Sequence, residues 1–540
     1  MDKNSAQSDV TAEASAWSPL RIPLFRALWL ATIGSNIGTW MHDIGAGWLM
    51  TSLSPTPVMV ALVQTATTLP VLFLALPAGA LADIVDRRRY LLVVQGWLAG
   101  VAALLALLTF AGLMTAWMLV ALTLAMGIGA AMMMPAWAAV TPEIVPRSEL
   151  QSAIALNSMG MNVARAIGPA IAGVIVSTAG TAAVFALNVI SFVGVMAVLF
   201  IWKRETAEPT LPAERFFSAL RAGFRFARHH RPLQSAVIRG IGFFLFASAP
   251  WALLPLIAKD LVGGGPQTFG VLVAAIGAGA VLGALILPWL RKYVAKDMLV
   301  AGATVLYAAA MLALAYLTNL PSLGVAMVLS GVAWIAVLSS LQVSAQLALP
   351  NWVRSRGLAV FMASFMGSMA FGSMTWGIVA QQSSIAAALV LAAAGAVLAV
   401  AVTWRWKLGA IDDMDLTPSM HWPSPLASVD VTPDRGPVMV TIGYQVEPGH
   451  RGAFLSAVRD LGQRRKRDGA FAWGVLEDTE TPNRLVEYFM IESWLEHLRQ
   501  HERVTNADRM LQDSVRGMLV AGSEPEIMHY VAPADMESKS

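Results

Sequence analysis

GALADIVDRRR, residues 79–89, interrupts a long apolar run with two aspartates and three arginines. About 20 apolar residues suffice to cross the hydrocarbon core of a bilayer, and residues 58–82 and 90–113, on either side, each have that length. The stretch therefore reads as the loop between two membrane spans. Arg87, Arg88 and Arg89 hold it on the cytoplasmic side, where Lys and Arg accumulate.

The rest of the chain agrees. Its 540 residues are 56% hydrophobic and 13% charged, whereas soluble domains carry about a quarter charged residues. The net charge of +3 says little about partners, because the charges are unevenly placed. Having no cysteine, the chain can form no disulfide, thiolate metal site or cysteine nucleophile. Residues 1–17 are polar and lack the apolar core of a cleavable signal peptide, so the first span is expected to act as the targeting signal.

The same length criterion finds twelve spans between residues 24 and 404. Loops after even-numbered spans contain Arg87, Arg88, Arg89, Arg147, the basic segment 203–231, Arg291, Lys292, Lys296, Arg354 and Arg356, while loops after odd-numbered spans contain only Lys259. Both termini should accordingly be cytoplasmic. Segment 203–231 divides the spans six and six, and its mixture of Phe217, Phe224 and Phe226 with Arg221, Arg225 and Arg228 suggests a basic amphipathic helix on the membrane surface. An internal echo supports the division. GALILPWLRKY (283–293) repeats GALADIVDRRR, with Gly283 and Arg291 in place of Gly79 and Arg87 and with Leu287 where Asp83 stands.

Beyond residue 408 a proline-rich linker leads into strand-period and helix-period segments in the order βαββαβ. The expected fold is an all-α polytopic membrane protein of 12 transmembrane helices in two six-helix pseudo-repeats, followed by an α+β ferredoxin-like cytoplasmic domain. The boundaries are a polar arm over 1–23, halves at 24–202 and 234–407 joined by an amphipathic linker at 203–233, a second linker at 408–437, and the soluble domain at 438–540.

Charge inside a span is the sharpest functional signal, since a central Asp or Arg costs about 2.5–3.5 kcal/mol on insertion scales. His42 and Asp43 lie in the first span and Arg165 in the fifth, at depths that differ by less than ~10 Å. One reading is a static pair holding two helices together; the other is a protonation site on Asp43 and His42 opposite Arg165. Arg239, near the start of the seventh span, reads as a snorkelling interface residue. In RAIGPAIAG (165–173), Gly168, Pro169 and Gly173 permit close helix approach and a bend. Without GxxxxGK[ST], HExxH or an acidic cluster, the sequence suggests no ATP-driven pump, no membrane hydrolase, no metal site and no cofactor. No nucleic-acid partner is expected.

GALADIVDRRR resembles the loop signature of the major facilitator superfamily, carried by Gly79, Asp83, Arg87 and Arg88, with Asp86 where many members have glycine. RAIGPAIAG is similar to that superfamily's fifth-helix antiporter signature. Thr123 stands where proton-coupled members often have an arginine. FRALWLATIGSNIGTWMHDIGAGWLM, LRAGFRFARHHRPL and ESWLEHLRQHERVTNADR together resemble the enterobactin-exporter-like branch, the transmembrane secretion effectors. The resemblance implies a secondary active transporter in a bacterial cytoplasmic membrane, exporting siderophore-like or drug-like small molecules by alternating access with proton antiport. It also implies that Asp83 meets the start of the eleventh span, near Arg356 and Gly357, when the cytoplasmic side closes. The tail resembles the antibiotic-biosynthesis monooxygenase type, which implies dimerisation through its sheet. There Trp473 and Trp494 read as core, His497 and His501 as helix surface, and Asn506 as a further candidate. The alternative function is a membrane-anchored enzyme or sensor acting through that domain.

Overall fold

The computed structural model describes residues 17–202, 224–350, 352–408 and 434–533, with isolated positions between 415 and 432. Most of the terminal arm and both linkers, including Phe217 and Arg221, lie outside the described residues, as does the side chain of Asp83. The chain forms two compact units. One comprises Met1–Ala213, Ile238–Leu341 and Met362–Arg405, the other Glu214–Val237, Gln342–Phe361 and Trp406–Ser540.

The first unit is helical. Its helices are α1 (Pro23–Leu53), α2 (Pro57–Ile84), α3 (Arg87–Phe110), α4 (Ala116–Ala138), α5 (Leu150–Ile201), α6 (Arg231–Leu256), α7 (Pro266–Leu290), α8 (Lys296–Tyr316), α9 (Leu320–Leu347), α10 (Arg354–Gln382) and α11 (Ile385–Thr403), of which α6, α9 and α10 also contribute residues to the second unit. Among the described residues, ten helices are long and apolar enough to cross a membrane. Local chemistry starts them. Proline opens α1, α2 and α7, where its missing N–H costs no hydrogen bond. The side chains of Asp86, Thr115 and Ser384 cap α3, α4 and α11.

Two spans expected at 151–179 and 181–202 form one 52-residue helix, broken only at Gly180, whose φ of 80° and ψ of 172° lie outside the helical region. An L side chain rarely adopts that backbone, so the joint depends on glycine. The core of this unit is aliphatic and aromatic, with Met50, Leu91, Leu98, Leu105, Leu119, Phe185 and Leu199 fully or almost fully buried.

The second unit contains an antiparallel sheet of β1 (Val438–Gln445), β2 (Ala472–Glu477), β3 (Arg484–Ile491) and β4 (Glu526–Val531), in the order β2-β3-β1-β4. Helices α12 (Arg451–Asp468), α13 (Trp494–Arg503) and α14 (Asn506–Arg516) accompany it. Where one helix was expected over 493–520 there are two. Thr505 forms a capping box with Asp508 and starts α14 afresh, so the order is βαββααβ. Val438, Val440, Phe454, Val458, Phe489, Trp494 and Val515 form the core. Within the same unit Trp352 meets Phe226 edge-on at 5.7 Å, and Arg503 and Arg467 lie over these two rings at 4.4 and 5.7 Å.

Candidate functional site

His42, Asp43 and Arg165 lie on or against α1. His42 is buried, its ring 5.0 Å from Phe185 of α5, and among the described residues neither ring nitrogen has a hydrogen-bond partner. It points into the interface of α1 with the second arm of α5. One turn earlier, a Cβ on Gly38 would meet Asn188 Oδ1 at 2.6 Å.

Asp43 follows His42 directly and so faces another way, on the strip shared by Trp40 and Gly47 at helical spacing. That strip turns toward the second half of the chain. Trp40 lies 6.4 Å from Trp251, and a Cβ on Gly47 would touch Pro255 at 3.4 Å. Arg165 reaches the same place from α5, stacking over Trp40 at 5.9 Å, with its Nε buried and unpartnered. No ion pair joins Asp43 to Arg165. The indole of Trp40 occupies the guanidinium face instead, which holds a cation through its ring quadrupole without neutralising it.

From Trp251 the aromatic contacts continue through Trp334 at 5.5 Å to Phe244 at 5.4 Å and Phe365, which is 4.1 Å from Phe244. Tyr307 joins Phe243 at 5.3 Å and donates its hydroxyl to the Ala247 carbonyl at 3.0 Å. The sequence reading did not single out this cluster. Its rings are spread over α6, α8, α9 and α10, and only tertiary packing assembles them.

The helix-packing residues lie at two tight helix crossings, Gly168 against α1 and Gly173 against α7. A Cβ on Gly168 would meet Trp40 Cβ at 2.8 Å, and one on Gly173 would meet the Pro266 carbonyl at 2.9 Å. From α7, a Cβ on Gly270 would lie 2.5 Å from the Pro169 carbonyl, and one on Gly277 would lie 2.7 Å from that of Arg165. Small residues on both helices thus allow α5 and α7 to approach backbone to backbone.

Residues 79–89, expected as a loop, are helical except at Val85 and Asp86, the short turn between α2 and α3, and they are tied into the first half. Asp86 accepts from the Arg89 N–H at 2.9 Å and caps α3. Arg87 forms an ion pair with Glu143 and reaches the Ala139 carbonyl, at the end of α4. Arg88 donates to the last carbonyls of α5, Leu199 at 2.9 Å and Phe200 at 2.6 Å, where a cation suits the negative end of the helix. Gly79 is not needed for a close crossing. A Cβ there would meet only Pro135, at 3.9 Å, while Gly127 takes the tight contact between α2 and α4, 2.7 Å from the Ala66 carbonyl. In the echo, by contrast, a Cβ on Gly283 would come within 3.0 Å of Val332 Cα.

Arg239 does not snorkel. It is 4% exposed, forms a 2.6 Å ion pair with Asp297 and lies 5.6 Å from the Trp404 ring. The sequence hid the partner because it is 58 positions away, in the first turn of α8.

In the second unit, a cavity of about 480 Å³ opens between the sheet and its helices, lined among others by Trp422, Tyr444, Arg465, Phe489, His497 and His529. Trp494 is core, as expected. Trp473 is only partly buried and donates to Glu487 at 2.9 Å. His497 is not on the helix surface but 1% exposed, because this face of α13 turns toward the sheet. Burial lowers its pKa to about 3, assisted by His501 and His529, so the ring is neutral at physiological pH. Burial also raises the Tyr444 hydroxyl well above its usual value, and the Glu487 carboxylate raises it further. Asn506 does not line the cavity; it is partly buried, with its amide on Asp415 at 2.8 Å and Thr417 at 2.9 Å.

The staphyloferrin A transporter of Staphylococcus aureus is 26% identical over 261 residues, 48% of this chain and 65% of its own length. The enterobactin exporter of Escherichia coli O1:K1 is 29% identical over 272 residues, 49% of this chain and 62% of its own. In both, the match spans somewhat less than two thirds of the relative. A crystal structure of a bacterial homolog to the human lysosomal transporter Spinster, inward-facing and unoccupied, superposes with a TM-score of 0.55 at 15% identity, covering 72% of this chain and 98% of that one. It shares the fold. The family described as transmembrane secretion effector matches residues 14–537, and this multi-pass membrane chain belongs to it.

Proposed function

We propose that the protein is a secondary active exporter of small, siderophore-like molecules, working by alternating access with proton antiport. It is a transporter and not an enzyme, and its family membership supports the transport class. The enterobactin exporter among its relatives supports the direction, and it and the staphyloferrin A transporter support the cargo class. We count twelve crossings by taking α1 as a span and α5 as two, bent at Gly180. The two halves rock about the glycine-lined α5–α7 contact. Both termini lie in the cytoplasm, with the tail as a ferredoxin-like domain there.

The observation that carries the coupling reading is Asp43 on the same strip of α1 as Trp40, whose ring holds the Arg165 guanidinium at 5.9 Å. An unneutralised cation beside a carboxyl that can bind or release a proton is a two-state charged centre, and one charge moved through 100 mV is worth about 2.3 kcal/mol. Asp83, Arg87 and Arg88 act with the 79–89 loop as the cytoplasmic gate. The test is uptake of enterobactin or staphyloferrin A, the molecules named for its relatives, into inverted membrane vesicles, with and without a proton gradient. Asp43→Asn is expected to abolish gradient-driven accumulation while leaving the folded yield unchanged. Uptake in the variant that still responds to the gradient would reject the coupling role of Asp43.

A further inference from the structure

We propose that the C-terminal domain holds a divalent transition-metal ion of the zinc class through His497, His501 and His529. The three imidazoles come from two elements. His497 and His501 are one turn apart on α13, and His529 is on edge strand β4, opposite Val440 of β1. Their donor nitrogens all lie within 4.8 Å of one another. The His497 ring is 4.8 Å from each of the other two, nearly perpendicular to His501.

Two further observations point to a ligand. Neither ring nitrogen of the buried His497 makes a hydrogen bond of ordinary geometry. Gln500, on the same helix and also 1% exposed, lies within reach of the His497 ring, and among the described residues neither of its carboxamide atoms makes a hydrogen bond of ordinary geometry. Buried polar groups are normally satisfied, and groups that are not call for an explanation such as an ion. A metal would take a lone pair of His497, and Gln500 is placed to orient the ring, the role that second-sphere partners of ligating histidines usually fill.

The geometry needs only a modest adjustment. Zinc–nitrogen bonds of about 2.1 Å give a tetrahedral N···N edge of roughly 3.4 Å, so the donor nitrogens must close by up to about 1.4 Å. His501 and His529 are both only partly buried. Neutral imidazole donors suit zinc and its neighbours in the first transition row, whereas magnesium and calcium prefer oxygen. The cavity's two guanidiniums do not forbid a cation, because Arg465 is paired with Glu487 and Arg516 lies 53% exposed beside Asp513. Three protein ligands leave a fourth position open toward the cavity. This assignment does not depend on the exporter reading.

The test uses the full-length protein, purified in detergent without a polyhistidine tag and stripped by a chelator. Zinc is titrated by calorimetry, bound metal is counted by mass spectrometry, and cobalt substitution reports ligand geometry through its visible absorption. About one ion per chain is expected, with the absorption of a four-coordinate cobalt site. His497→Asn and, independently, the less buried His529→Asn should each weaken binding by at least about 100-fold. His450→Asn, at an exposed histidine outside the cavity, should leave it unchanged. Wild-type protein that takes up no zinc would overturn the assignment. So would variants that elute and fluoresce as folded protein yet keep wild-type stoichiometry and affinity.

Discussion

Replacing Gly270 by alanine adds one methyl group at the closest approach of α5 and α7. Its Cβ would sit 2.5 Å from the Pro169 carbonyl oxygen and 3.0 Å from Gly173 Cα, both backbone atoms that no rotamer change can move. Carbon atoms reach optimal contact at about 3.5–4.0 Å, so the helices must part by about 1 Å at the crossing. They then lose dispersion contact along several turns. Overpacking of this kind costs about 1–3 kcal/mol. Against it stands the gain of about 0.5–1 kcal/mol when alanine replaces glycine inside a helix. Gly100 isolates that gain, because a Cβ there meets nothing within 4 Å. Scanning fluorimetry of the purified protein should therefore place Gly100→Ala at or above wild type and Gly270→Ala clearly below it. If Gly270→Ala melts as high as Gly100→Ala, the α5–α7 contact is looser than argued here and cannot be the surface on which the halves turn.

Two further perturbations probe buried charge. For the Arg239–Asp297 pair, Asp297→Asn should destabilise by about 3 kcal/mol, because it leaves Arg239 buried without its counter-ion. Arg239→Met should cost less, since Asp297 stays in the first turn of α8, where the helix dipole favours a carboxylate; thermal melts in the reverse order would contradict this. Asp508 is buried, which alone would raise its pKa, but Arg467 and Arg464, at 2.7 and 2.5 Å, prevail and hold it well below the usual carboxylate range. A depressed folded pKa gives stability that is fully present above the unfolded value near 3.9 and is lost as pH falls through the lower folded value. Asp508→Asn should thus lower the melting temperature of the tail domain at pH 7, by about 1.5–3 kcal/mol of lost charge-assisted bonding, with the gap closing below about pH 4. A gap that persists undiminished at low pH would assign the loss to packing.

Much of the architecture was legible because it is written in local composition. The arginines at 87–89 and the apolar runs beside them mark a loop between spans with no tertiary information, and period-two alternation in VMVTIGYQ marks β1. The site was legible only in part. His42, Asp43 and Arg165 stood out because charge is rare in an apolar span. Their actual relations, His42 on Phe185 and Arg165 on Trp40, depend on which face of α1 meets which arm of α5. The burial of His497 and the pairing of Arg239 were missed for the same reason. Surface or interior is decided by a partner element far away in sequence, and a single helix face carries no record of it. The break at Thr505 was visible in principle, since Thr-x-x-Asp preceding a helix is a capping pattern.

The glycine joint in α5 carries a mechanical implication. Where most consecutive crossings are separated by several residues of slack chain, the two arms of α5 meet at one residue. The arm that touches α7 and the arm that carries Phe185 and Asn188 against α1 therefore behave as a bent crank. Tilting one obliges the other to swing, and a displacement begun at the α5–α7 contact reaches the buried face of His42 without passing through a flexible tether.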